Sequence, residues 1–94
     1  MVFDVERIRK EFPMLKQTMS GKPLIYLDNA ATTLKPKCVI DTISQFYEEE
    51  YATIHRAVYE LSISASERYA TVRRNIAKFI NADSDEEIIF TRGA

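Results

Sequence analysis

Apolar positions along the chain switch between helical and strand spacing, and each switch marks an element. Val5, Ile8 and Phe12 fall on one face of a short helix that Asp4 can cap and Pro13 bounds. Gln17 to Lys22, with Ser20-Gly21, reads as a turn. Pro23 introduces the strand Leu24–Leu27, short and apolar enough to be buried, and a loop over Asn29–Thr33 follows. Lys35-Pro36 sets up a second helix, in which Val39, Ile40, Ile43, Phe46 and Tyr47 recur at helical spacing until Glu48-Glu49-Glu50 closes it.

Residues 51–61 lose all periodicity and mix aromatic, basic and apolar types, a long connection of the kind that carries function. Ser64-x-x-Glu67 has the form of a capping box ahead of Tyr69, Val72, Ile76, Phe79 and Ile80. The spacing predicts a helix from Ser64 to Ile80, stopped by Asn81. Asp83 to Glu87 is a polar turn, and Ile88–Thr91 is a second strand. Two strands alone make no stable covered sheet, so both are expected to belong to a larger one. The pattern is α/β.

Composition narrows this further. A chain of 94 residues holds one small domain at most and buries a modest fraction of its surface. With 46% hydrophobic and 29% charged residues it reads as globular rather than disordered. A formal net charge of −1 supplies no general drive toward nucleic acid or an anionic membrane. No apolar run approaches the roughly 20 residues that span a bilayer. Asp4, Glu6 and Glu11 argue against a targeting leader, and the lone Cys38 fits a reducing compartment; a cytoplasmic location is expected.

Chemistry concentrates in the loops. Asn29-Ala30-Ala31-Thr32-Thr33 offers backbone N–H groups with little side-chain bulk in the way, and Arg92-Gly93-Ala94 does the same while adding a guanidinium; both suit anionic groups. Cys38 sits beside Val39 and Ile40 in a helical pattern, with little besides Lys35 and Lys37 to lower its pKa, and reads as a small, partly buried helix residue. The lysines fall on predicted helix faces and polar turns, where an amine is simply solvated. His55 and Arg56 combine a group that moves protons near neutral pH with one that grips carboxylates bidentately. The same pair in a loop also suits a structural or solvent-facing role.

Leu24 to Thr33, Lys35-Pro36, Ile54-His55-Arg56 and Glu86 to Ala94, with the opening Ile8-Arg9-x-x-Phe12-Pro13-x-Leu15, together resemble the amino-terminal part of the cysteine desulfurases. These depend on pyridoxal 5'-phosphate and belong to the class V aminotransferase family; the likeness is to the SufS-type branch, related to NifS and to selenocysteine lyases. Members are several times longer. The resemblance implies an α/β, fold-type I transferase of which residues 1–22 form an amino-terminal helix and turn. Residues 23–94 would begin the large cofactor-binding domain.

It further implies conversion of L-cysteine to L-alanine, with persulfide sulfur passed through a sulfur-acceptor protein to iron-sulfur cluster assembly, in a cytoplasmic homodimer. Asn29, Ala30 and Ala31 would lie over the substrate, Ala31 foremost, with His55 and Arg56 near the pocket and subunit interface. Gly93 and Ala94 would start the turn that grips the cofactor phosphate. Arg92 would neutralise site charge or make an interface ion pair. The family's catalytic cysteine lies on a mobile loop far toward the carboxyl terminus, and its cofactor lysine follows a histidine; here Arg56 follows His55. No catalytic residue and no metal ligand is therefore expected within these 94 residues, which should be inactive alone. The alternatives are a non-catalytic scaffold or interaction segment, a selenocysteine lyase, or another class V enzyme.

Overall fold

Asp4 does cap the first helix. In the computed structural model, which describes residues 2–55 and 58–93, its Oδ1 accepts from the Arg7 amide at 2.9 Å and starts α1, Val5–Lys10. Pro13 opens a 3-10 turn, Pro13–Lys16, because its missing N–H is no loss at a helical first position. A tight antiparallel hairpin follows, β1 (Thr18–Met19) and β2 (Lys22–Pro23), paired Met19 with Lys22 and Thr18 with Pro23. Its two-residue turn places Ser20 at φ 54° and Gly21 at φ 75°, the left-handed pair that matches the twist of hairpin strands. The Leu24 amide then donates to the Gln17 carbonyl at 3.3 Å, just beyond the hairpin.

The second helix, α2, runs Lys37–Gln45 behind Pro36 and continues as a π-helical turn over Phe46–Glu50. Its first amide, on Lys37, donates to the Glu11 carbonyl at 2.7 Å, which ties the start of α2 to the end of α1. The long helix α3 runs Glu60–Phe79. It stops in a left-handed cap at Asn81, φ 58°, where the Asn81 amide donates to Lys78 and the Ala82 amide to Ala77. Those two bonds satisfy carbonyls that the helix end leaves open. A short 3-10 turn, Asp85–Glu87, is capped by Ser84, whose Oγ accepts from the Glu86 amide.

Residues 1–47 and 48–94 form separate compact units. The first has Leu24 as its buried apolar residue; the second buries Ala65, Ala77, Ile88 and, completely, Ser62. No helix among the described residues is long and apolar enough to cross a membrane.

Several sequence expectations need correcting. Leu24–Leu27 and Ile88–Thr91 form no ladder among the described residues, where the strands are β1 and β2. The alternation of a strand survives without a partner: Leu24 and Ile88 are buried, while Ile25, Leu27 and Ile89 are 79%, 90% and 80% exposed. Ser64 does not begin the long helix, which starts a turn earlier at Glu60 behind Tyr59, with no side-chain cap. Cys38 lies on α2 as expected but is exposed rather than partly buried. The apolar stripes of α2 and α3 are also poorly covered, with Ile43 and Phe79 open to solvent.

Candidate functional site

Residues 28–33 close around the hydroxyl of Tyr26. That hydroxyl donates to the Thr32 carbonyl and approaches the Asp28 carbonyl at 3.3 Å, so one phenol bridges both ends of the loop. Inside the loop the Ala31 and Thr32 amides both donate to the Asp28 carbonyl, at 3.1 and 3.2 Å. The Thr33 hydroxyl donates to the Asn29 carbonyl, and Lys35 Nζ covers the Thr33 carbonyl at 2.5 Å. Among the candidate residues, the Ala31 amide is thus spent inside the loop, while Asn29 and Ala30 keep amides without acceptors among the described residues. Beside the loop opens a cleft of about 280 Å³ whose walls include Arg9, Phe12, Leu15, Tyr26, Asn29 and Thr33. Apolar walls with a few convergent polar groups are the usual make-up of a small-ligand site.

The 50–55 connection is held against α3 at two points. Glu50 pairs with Arg68, and the fully buried Ser62 Oγ donates to the Thr53 carbonyl at 2.5 Å. Thr53 in turn accepts the His55 amide on its Oγ1 at 3.1 Å, which fixes the backbone that carries the imidazole. Arg56, expected beside it, lies outside the described residues, as does Ala94.

At the far end of this unit, Phe90 leads into the second loop. Its ring meets Tyr69 of α3 edge to face, with centroids 5.1 Å apart. The Thr91 hydroxyl then donates to the Gly93 carbonyl at 2.8 Å and folds the loop back on itself. A Cβ added at Gly93 would meet nothing within 4 Å, so the space in front of this backbone is free for a bulky anion. Arg92 is exposed and makes no ion pair among the described residues. The residues present therefore fit one edge of a phosphate cradle. Among the described residues no cluster of His, Cys, Asp and Glu could hold a metal ion.

Sequence reasoning missed Tyr26, Arg9 and Ser62. Tyr26 carried a signal: a polar-tipped aromatic inside an apolar run, next to the loop it organises. Arg9 stood only inside the opening pattern with no place at a cleft, and Ser62 carried no signal, because each depends on a neighbour outside its own element.

The class-V aminotransferase family model matches residues 25–94. Over 92 residues the chain is 53% identical to a probable cysteine desulfurase of Mycolicibacterium paratuberculosis, covering 98% of this chain and 13% of that protein. A probable cysteine desulfurase of Vibrio cholerae is 46% identical across all of this chain, which spans 23% of it. The apo structure of a cysteine desulfurase from Thermococcus onnurineus NA1 superposes with a TM-score of 0.82 at 36% identity, over 98% of this chain and 21% of that one. These 94 residues thus span between 13% and 23% of the length of such relatives. The matching family model and the shared fold lead to one assignment: the chain belongs to the class-V aminotransferase family.

Proposed function

We propose that these residues are the amino-terminal segment of a cysteine desulfurase that converts L-cysteine to L-alanine and passes the sulfur on as a persulfide. The observation that carries the reading is the match, across nearly the whole chain, to relatives named as cysteine desulfurases. On this reading residues 1–22 are an amino-terminal helix and turn, and residues 23–94 open the large cofactor-binding domain. The working protein is a cytoplasmic homodimer, and a sulfur-acceptor protein carries its product toward iron-sulfur cluster assembly.

Within such a site each loop has a task its geometry supports. The Asn29 and Ala30 amides have no acceptor among the described residues, in a loop already locked by Tyr26, so they are free to receive a substrate carboxylate. Ala31 contributes small size rather than a donor, its amide being held by Asp28. His55 and Arg56 organise the substrate end, Arg56 by a bidentate grip that lysine cannot copy. Gly93 gives a phosphate room to approach backbone, Ala94 continues the same turn in the sequence, and Arg92 offsets the charge. Pyridoxal phosphate, when bound, supplies the electron sink for the chemistry at the substrate carbon. The cofactor lysine and the cysteine that takes up sulfur are contributed by sequence beyond these residues.

Adding pyridoxal phosphate to the full-length protein and to the 94-residue chain tests this. The full-length protein should develop a lysine-dependent absorbance band and release alanine and sulfur from cysteine, and the short chain should do neither. A full-length protein with no band would overturn the proposal. So would sulfide from the short chain that disappears on Cys38→Ser.

A further inference from the structure

Arg73 lies on α3 one turn beyond Tyr69, with its Cζ 5.4 Å from the Tyr69 ring centroid and 5.9 Å from that of Phe90. Together the two rings and the guanidinium make a three-part stack. The stack sits at the base of the Thr91–Gly93 loop, since Phe90 is the residue that enters it. Arg73 Nε is buried there and has no hydrogen-bond partner among the described residues. Nor does Arg73 take part in either of the ion pairs those residues form, Lys37 with Asp41 and Glu50 with Arg68. Buried donors in folded proteins are almost always paired, and a half-buried cation without an anion is costlier still. The neighbouring arginine Arg74 differs: its Nη2 donates to the Thr71 hydroxyl at 3.0 Å.

We infer that Arg73 is a positioning residue whose Nε–H donates to a carboxylate of the polypeptide outside these 94 residues. A carboxylate satisfies both deficits at once. It accepts the buried Nε–H and balances the charge, and the side-on edge of a guanidinium presents two parallel donors to its two oxygens. The bond locks Arg73 over Phe90 and so fixes where the Thr91–Gly93 backbone stands. The inference rests on the proposed function in one respect, that this chain is part of a longer protein with an anion-binding loop at 91–93.

The test compares full-length wild type with Arg73→Lys and Arg73→Met, all without cofactor, by amide hydrogen exchange of Ile88, whose amide donates to the Asp85 carbonyl at 3.1 Å on the segment that leads into Phe90, and by a crystal structure of the wild type. Lysine keeps a cation over the rings but loses the planar donor edge, whereas methionine keeps the apolar stem alone. Exchange at Ile88 should quicken by about tenfold or more in both variants, the factor that corresponds to one charge-assisted bond. The structure should place a carboxylate oxygen within hydrogen-bond distance of Arg73 Nε. Normal exchange in Arg73→Lys would mean the stack needs only a cation, and would overturn the inference; so would a water or a main-chain carbonyl at Nε. Both readouts hold without pyridoxal phosphate, so a protein that never develops the cofactor band would sink the proposed function and leave this test standing.

Discussion

Replacing Ser62 by alanine should free the segment that carries His55. Ser62 is wholly buried and its hydroxyl donates to the Thr53 carbonyl at 2.5 Å. Losing the donor strands that carbonyl, but Thr53 itself is exposed, so water can take over part of the lost bond. The cost should then fall near the net value of a single hydrogen bond, about 1 kcal/mol, rather than the larger penalty of a buried orphan. Alanine also favours a helix over serine by about 0.5 kcal/mol, which stabilises α3 and would mask the loss in any global melting curve. A local probe avoids this. The His55 amide donates to Thr53 Oγ1, so it should exchange with solvent about fivefold faster in Ser62→Ala of the full-length protein. The Arg7 amide, held by Asp4 in the other unit, serves as the unchanged reference. Unaltered His55 exchange in the variant would refute the idea that Ser62 pins this connection.

Asn81 sits at φ 58° in the cap of α3, so Asn81→Ala should destabilise by about 1 kcal/mol while Asn81→Gly is neutral or slightly stabilising, measured by chemical denaturation of the full-length protein. Equal losses in the two variants would show that the side chain, not the backbone conformation, sets the cap. Arg56→Ala and Arg56→Lys should each lose about 1.5–3 kcal/mol of transition-state or substrate binding, roughly one to two decades in steady-state kinetics. Near-normal kinetics in both would make Arg56 a solvated loop residue, and collapse to monomer would move it to the subunit interface.

What the sequence made legible were features decided locally. Asp4 as a cap, Pro13 as a boundary, Asn81 as a stop and Ser20-Gly21 as a turn each act on backbone within a few residues, and each stands where the pattern put it. The start of α3 was misplaced because Tyr59 offers no capping side chain, while Ser64 imitates a capping box from inside the helix. Leu24–Leu27 and Ile88–Thr91 have strand composition, yet a ladder needs a second strand, and none is supplied by the described residues. The contacts that shape the candidate site were invisible for a related reason. Tyr69 finds Phe90, and Ser62 finds Thr53, across turns whose geometry no residue pattern encodes.

The two apolar runs without a ladder partner among the described residues also bear on self-association. Exposed, strand-like segments with open backbone donors and acceptors are templates for pairing with other molecules. Here each is bracketed by residues that oppose such pairing: Pro23 and Asp28 around Leu24–Leu27, and Glu86, Glu87 and Arg92 around Ile88–Thr91. Proline denies the growing ladder a donor, and charges of like sign repel when identical copies stack in register. Gatekeeping of this kind slows the pairing of identical copies along the apolar runs.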